Sequence, residues 1–452
     1  MSTVTPSQPL AGRRPARDTG AERSMLGDAL SRPLASYYLL LVCVGLLVAV
    51  GLVMVWSASS VYAMVEMGNS YYYFLRQLTF LGFGLPVALV LSHCGEWGMR
   101  LPGLRRLIGT QDAPLATERV LKAVGGAAMA LSLALLVLVV ATPLGVERYG
   151  NRAWLDLGPI EIQPSEFAKV SLVLWSAALF ANRRAALDRP GRVLRPYFAV
   201  SALLLALVVA ERDLGTMLIV AAIVVLQLWF VGVPGRIMAA IAALGAGGLG
   251  GLVFVEAVVL HKMTHVCRIV TWANQMLGAH LASAGCTASD QPANALLGLA
   301  TGGWWGVGLG ASRQKWGGLY NGAQTDYIVA VLGEEWGLAG TLLVIALFCV
   351  LGFTGLRVAS RSDSLFRRVV AGGLTGWLLV QAALNILVAL GLFPVAGVPL
   401  PFLSYGGSGL MANLIAVGVL LALARQEPAA AAVLAARRRA TPRLTGVVAA
   451  GR

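Results

Sequence analysis

The chain has 452 residues, of which 58% are hydrophobic and 12% charged, with a mean hydropathy of +0.75. Soluble domains carry about 25% charged residues, so a soluble enzyme is excluded and the length divides into membrane spans of about 20 residues. The net charge of +14, from 35 Lys and Arg against 21 Asp and Glu, fits nucleic acid, anionic lipid or membrane topology until its placement is read.

In chain order, residues 1–35 form a basic tail expected to be disordered and cytoplasmic. No cleavable leader is expected in it, because it is polar and basic and the first apolar run is long enough to span and stay. Ten apolar runs follow, at about 36–57, 72–92, 122–142, 166–182, 197–211, 213–231, 237–260, 326–356, 368–391 and 408–425. The fourth and fifth are short and the eighth is long. Residues 426–452 form a second basic tail, also expected to be disordered and cytoplasmic. With both ends inside, the inner loops hold most of the basic residues, among them Arg105, Arg106, Arg183, Arg184, Arg367 and Arg368. The positive-inside rule is satisfied at every inner loop, so the basic charge reads as topology and nucleic acid is not expected. The expected fold is an all-α polytopic bundle of about ten transmembrane helices, spanning 36–425, with a large extracytoplasmic loop at 261–325. Loops of that length are functional or disordered.

Few polar residues lie beside the spans, and intramembrane ionisable groups count as site hypotheses by default. On the expected outer side they form four clusters. The first is Asn151-Arg152-Ala153-Trp154, followed by Gln163-Pro164-Ser165-Glu166 and Lys169. Pro at a helix entrance is N-terminal chemistry, and Glu166 and Lys169 at i, i+3 share a face. They form either an internal ion pair or, with Arg152, an anion site. The second, Glu211-Arg212-Asp213, is either a solvated turn or a site residue cluster. The third, residues 394–409, breaks the chain with Pro399, Pro401, Ser404, Tyr405, Gly406 and Gly407. That density of Gly and Pro permits non-helical backbone at membrane depth, which is tolerated where it lines a cavity. The fourth runs from the Gly-rich stretch 301–310, with Trp304 and Trp305, through Lys315 to Thr325-Asp326 and Gly333-Glu334-Glu335. The paired Trp residues suit an interfacial anchor or a sugar face.

His261, His265, Cys267, His280 and Cys286 fit no familiar zinc spacing. A Cys267–Cys286 disulfide in an oxidising compartment is the more natural reading.

These motifs, over roughly residues 32–425, resemble the SEDS family (shape, elongation, division and sporulation) of bacterial membrane glycosyltransferases. They are most similar to its division branch as found in high-GC Gram-positive bacteria. The resemblance rests on the Asn151–Trp154 and Gln163–Lys169 motifs, Asp213-Leu214-Gly215-Thr216, the glycines of 303–310, Thr325-Asp326-Tyr327-Ile328, and Ser404-Tyr405-Gly406-Gly407-Ser408. It implies a peptidoglycan glycosyltransferase that polymerises lipid II, the undecaprenyl-pyrophosphate-linked disaccharide pentapeptide, at the outer face of the cytoplasmic membrane during septal wall synthesis. The implied partners are a class B penicillin-binding protein and other divisome proteins.

The family's essential aspartate maps onto Asp326, expected to be the general base. Glycosyl transfer to a sugar hydroxyl needs one carboxylate to take the proton, since the leaving group is already a pyrophosphate. A hydrolase would need a second carboxylate. Arg152, Lys169 and Lys315 are the expected pyrophosphate cations. Trp154, Gln163, Ser165, Glu166, Asp213, Ser404 and Tyr405 complete the expected substrate site. The one cofactor left open is a divalent cation, Mg or Mn, near Asp326.

The chain departs from the family at Leu319–Gln324, which is one residue longer and lacks the usual Pro-Glu, with Gln324 where His is common. It departs also at Arg212 and Ala396, in place of Pro and Thr. Two other readings stand beside the polymerase: a lipid-precursor flippase or other transporter, and a weakly active divisome scaffold. A transporter would place its charges near the midplane and repeat its halves, whereas these cluster at the outer ends.

Overall fold

The computed structural model describes residues 30–100, 106, 109–110, 112–148, 150–156, 158, 161–184, 190–258, 264–277, 290–319 and 322–440. Each of the ten apolar runs becomes a helix. In order these are α1 (Ala35–Met67), α2 (Tyr72–Ser92), α4 (Ala113–Ala141), α5 (Pro164–Asn182), α6 (Pro190–Ala210), α7 (Leu214–Val231), α8 (Gly235–Val258), α11 (Ile328–Ser360), α12 (Leu365–Ala389) and α13 (Gly407–Ala424). Short helices α3 (Cys94–Arg100), α9 (Thr264–Leu277), α10 (Gln291–Gly302) and α14 (Pro428–Ala440) complete the set.

Among the described residues, eight helices are long and apolar enough to cross a membrane. The two that fall short are α5, whose first two turns carry Ser165, Glu166 and Lys169, and α8, whose described apolar stretch is Gly235–Gly245. Most of α5 is buried, because α4, α7, α12 and α13 surround it. A polar helix end is tolerated there because protein, not lipid, is its solvent.

The structure departs from the expected fold in three places. A three-stranded antiparallel sheet, β1 (Gly145–Arg148), β2 (Asn151–Asp156) and β3 (Glu161–Ile162), caps one end of the bundle in the order β1-β2-β3. The part of the second tail at 428–440, expected to be disordered, is helix α14, a run rich in Ala and Arg, both strong helix formers. The described residues of the loop at 261–325 include α9, α10 and a 3₁₀ turn, Gln314–Trp316.

The length of the eighth run has a structural reason. Helix α11 breaks at Gly337 (φ 67°, ψ −165°), a left-handed conformation suited to glycine. The stretch Gly303–Gly308 threads this break and replaces the lost helical bonds. Leu338 N and Ala339 N donate to the carbonyls of Gly303 (2.8 Å) and Trp304 (3.1 Å), while Val307 N and Gly308 N donate to those of Glu334 (2.9 Å) and Glu335 (3.1 Å). Glycines are needed at this crossing, since a Cβ on Gly306 would lie 2.1 Å from the Glu335 carbonyl oxygen.

Candidate functional site

Four separated segments converge at the end of the bundle capped by the sheet: the start of α5, the α6–α7 turn, the start of α11, and the irregular segment 390–406 between α12 and α13. Asp213 caps the N-terminus of α7. Its Oδ1 accepts from Thr216 N (2.9 Å), and its Oδ2 accepts from Thr216 Oγ1 (2.8 Å) and Gln163 Nε2 (3.1 Å). Burial raises its pKa against the pull of the two Thr216 bonds, with Glu166 adding to the rise and Lys169 opposing it. The start of α7 lies hard against the irregular segment, where a Cβ on Gly215 would sit 2.2 Å from the Ala396 carbonyl oxygen.

On α5, Lys169 and Glu166 form a buried ion pair at 2.7 Å. The ammonium also donates to Gln381 Oε1 (3.2 Å) and lies 5.1 Å from the Trp377 ring centroid. Trp377, Gln381 and Asn385 are spaced i, i+4, i+8 and make one polar stripe on α12. Gln381 accepts from Trp377 Nε1 (2.8 Å) and donates to Pro399 O (2.9 Å). Asn385 donates to Val398 O (2.7 Å) and to the backbone carbonyl of Asp326 (2.9 Å). Ser404 works from the other side. Its hydroxyl donates to Thr325 O (2.6 Å) and accepts from Leu400 N (2.8 Å), while Tyr405 N donates to Gln324 O (2.8 Å). The backbone at 324–326 is thus held at three successive carbonyls.

Asp326, two residues ahead of α11, is densely surrounded by protein yet only half-buried, so its carboxylate stays reachable. Its Oδ2 lies 3.9 Å from the point a Cβ on Gly397 would occupy. Burial pushes its pKa up to about 6, with Arg268 pulling it down and Asp213 pushing it up. That value places a carboxylate near the operating range of a general base.

The other expected site residues sort by their bonds. Gln163 N donates to Ser408 Oγ (3.0 Å), which ties the start of α5 to α13. Ser165 is buried, its hydroxyl unpartnered among the described residues. Trp154 is half-buried on β2, opposite Val146. Tyr405 packs edge-on against Tyr73, ring centroids 4.8 Å apart. Arg152 donates through Nε to Gly145 O (3.2 Å) and through Nη2 to Thr142 O (2.6 Å), fastening the sheet to α4. Lys315 is buried away from Asp326's immediate surroundings, in a knot with Glu335 (2.9 Å) and Ser57 of α1. Beside it, Glu334 accepts from Ser312 Oγ (2.5 Å) and Arg313 N (2.9 Å). Two of the three expected cations are therefore buried with protein partners, and the third is committed to carbonyls.

Gln381, Asn385 and Arg268 were absent from the expected set. The first two had a signal: amides one helical turn apart inside an apolar run. Arg268 had none.

Among the described residues no group of three His, Cys, Asp or Glu side chains could hold a metal ion. Cys267 is disulfide-bonded and Cys43, Cys94 and Cys349 are free. The expected partner Cys286, with His261 and His280, lies outside the described residues.

Fold and site together define a multi-pass membrane protein that holds one reachable, pKa-raised carboxylate at the end of a helical bundle. Residues 115–429 match the family model for FtsW, RodA and SpoVE, described as cell cycle protein. The chain is 32% identical over 440 residues to a probable peptidoglycan glycosyltransferase FtsW of Mycobacterium tuberculosis, covering 96% of this chain and 77% of that one. It is 33% identical over 390 residues to stage V sporulation protein E of Bacillus subtilis, covering 86% and 96%. Among solved structures it is similar to Thermus thermophilus rod shape determining protein RodA, with a TM-score of 0.56, 26% identity, and coverage of 86% and 96%. A chain of a peptidoglycan synthase complex gives a TM-score of 0.60 at 24% identity, covering 86% and 97%. The chain belongs to the FtsW/RodA/SpoVE family.

Proposed function

We propose that the chain is a peptidoglycan glycosyltransferase that polymerises lipid II into glycan strands at the outer face of the cytoplasmic membrane, with both termini cytoplasmic and Asp326 as general base. Family membership and the names of the curated relatives support the activity. The observation that carries the residue assignment is Asp326 itself: reachable, held by bonds to three successive backbone carbonyls, and raised to about 6.

In the reaction the acceptor sugar hydroxyl gives its proton to Asp326 and attacks the anomeric carbon of the donor. The bond from that carbon to the pyrophosphate breaks, and the electron pair leaves with the pyrophosphate. No second carboxylate is required, in keeping with Asp213 being fully hydrogen-bonded as a helix cap. The Lys169–Glu166–Gln381 and Ser404 contacts act on position: they hold the α5, α11 and irregular-segment backbones together so that the base meets the hydroxyl. The working unit is residues 36–425, acting at the division septum with a class B penicillin-binding protein and other divisome proteins.

The test uses labelled lipid II, with full-length protein and its crosslinking partner in liposomes. Wild type is expected to yield glycan ladders and Asp326→Ala none. Asp326-dependent movement of lipid II across the bilayer without ladders would replace the polymerase by a flippase. Equal polymerisation by both forms would remove Asp326 from the chemistry.

A further inference from the structure

A pyrophosphate leaving group needs a cation, and the three expected from sequence have other occupations. Lys169 is shared by Glu166, Gln381 and the Trp377 ring; Lys315 is shared by Glu335 and Ser57; Arg152 is bonded to two backbone carbonyls.

Arg268 on α9 is different. It is half-buried, and no hydrogen bond or ion pair among the described residues engages its guanidinium. Its charge acts on both Asp326 and Tyr327. No ion pair joins Arg268 to Asp326 among the described residues, although its charge reaches that carboxylate.

The geometry of α9 fixes this placement. One turn beyond Arg268, Trp272 Nε1 donates to Gly391 O at 3.0 Å. Residues at i and i+4 share a helix face, so Arg268 lies on the face turned to the irregular segment. That same segment, six residues on at Gly397, runs beside Asp326 Oδ2. The residue after Asp326 adds an unsatisfied group: the Tyr327 hydroxyl is buried and without a hydrogen-bond partner among the described residues. Buried polar atoms left unpaired call for a ligand or water.

We propose that Arg268 is the cation that binds the leaving pyrophosphate of the glycosyl donor, on the opposite side of the reacting sugar from Asp326. This rests on the glycosyltransferase reading above and deepens it. As the bond between the anomeric carbon and the pyrophosphate oxygen breaks, the added negative charge falls on that oxygen. A guanidinium fork meets phosphate oxygens through two parallel N–H bonds. The acceptor's proton goes to Asp326, so base and cation act on opposite ends of the same electron flow. The pair also separates charge sensibly: a pyrophosphate beside Asp326 would be repelled, whereas one beside Arg268 is held away from it.

The test uses full-length protein with its crosslinking partner in liposomes, and undecaprenyl pyrophosphate as the probe. Variants are Arg268→Gln, Arg268→Lys and Asp326→Asn. Arg268→Gln is expected to weaken binding of the probe at least tenfold and to lower kcat at saturating lipid II. Arg268→Lys, which keeps the charge but loses the fork, should fall between. Asp326→Asn should polymerise nothing and still bind the probe at least as tightly as wild type.

A second readout separates substrate contact and electrostatics from a merely structural role. The charges acting on Asp326 are Arg268 and Asp213, so Arg268→Gln should move the acidic limb of the residual rate to higher pH. Wild-type affinity for undecaprenyl pyrophosphate in Arg268→Gln overturns the proposal and leaves the glycosyltransferase reading intact. If Arg268→Gln does not fold, unchanged probe affinity in Arg268→Lys overturns it equally. Polymerisation by Asp326→Asn instead sinks the underlying reading, whatever Arg268 does.

Discussion

Replacing Lys315 by methionine separates an internal anchor from a substrate cation. An ammonium has three donors, and here they meet Glu335 Oε1 at 2.9 Å, Ser57 Oγ at 3.2 Å and Ser57 O at 3.3 Å. None remains for a pyrophosphate. Both partners are sealed, with side-chain exposures of 2% and 0%, so removing the lysine leaves the Glu335 carboxylate buried with only the Ser57 hydroxyl, at 2.7 Å, for company. Breaking one side of a buried pair costs about 3–5 kcal/mol, a large part of the roughly 5–15 kcal/mol that holds a typical protein together.

The cost should be concentrated where Lys315 ties the Gly303–Trp316 stretch to α1 and α11. Unfolding of the detergent-solubilised protein and protease cleavage within 303–316 are the assays. A second change, Glu335→Gln, removes the stranded charge, and the double variant should recover most of the loss. Unfolding of Lys315→Met within about 0.5 kcal/mol of wild type, together with a raised KM for lipid II, would instead make Lys315 a substrate cation.

Four further outcomes follow from the same geometry. Ser404→Ala removes the bond to Thr325 O and leaves Leu400 N without its acceptor; the resulting drift of Asp326 should lower kcat by about tenfold to a hundredfold in a single-turnover assay, with the fold retained. Gly337→Ala places a Cβ 2.4 Å from Gly306 N at a φ of +67°, so it should lower the Tm in detergent and loosen 303–308 to hydrogen exchange. With Asp326 raised to about 6, the ionised base is lost as pH falls through that value. The kcat/KM should therefore drop about tenfold per pH unit below 6 and level off above it.

Glu211 is fully buried, its carboxylate oxygens have no hydrogen-bond partner among the described residues, and burial beside Asp213 raises it from 4.5 to about 9. The folded state then holds a proton that the unfolded chain releases, so this residue's contribution to stability falls as pH rises from 4.5 to about 9. Glu211→Gln should remove that slope in pH-dependent unfolding and stay within about 1 kcal/mol of wild type at neutral pH.

The helical frame was legible because apolar runs of span length report burial in lipid directly, and each became a helix at nearly the expected place. The sheet was not, because β1 to β3 are two to six residues long, too short for alternation to rise above neighbouring Gly and Pro. Of the site, the i, i+3 pairing of Glu166 and Lys169 was readable, since both partners sit on one helix. The Lys315–Glu335 pairing was not, because it depends on how a loop crosses the break at Gly337. The same holds for Arg268: the role proposed for it rests on where α9 docks on Gly391, a tertiary contact with no local signature. Gln381 and Asn385 could have been found by asking why two amides stand a turn apart in an apolar helix.

We propose that one carboxylate, Asp326, carries glycan polymerisation. Its most direct test is single-turnover conversion of labelled lipid II by full-length wild type and Asp326→Asn, each with its crosslinking partner in liposomes and matched for folded protein. Wild type alone is expected to form glycan ladders, with undecaprenyl-pyrophosphate binding retained in the variant. Ladders of equal length and rate from both proteins would contradict it.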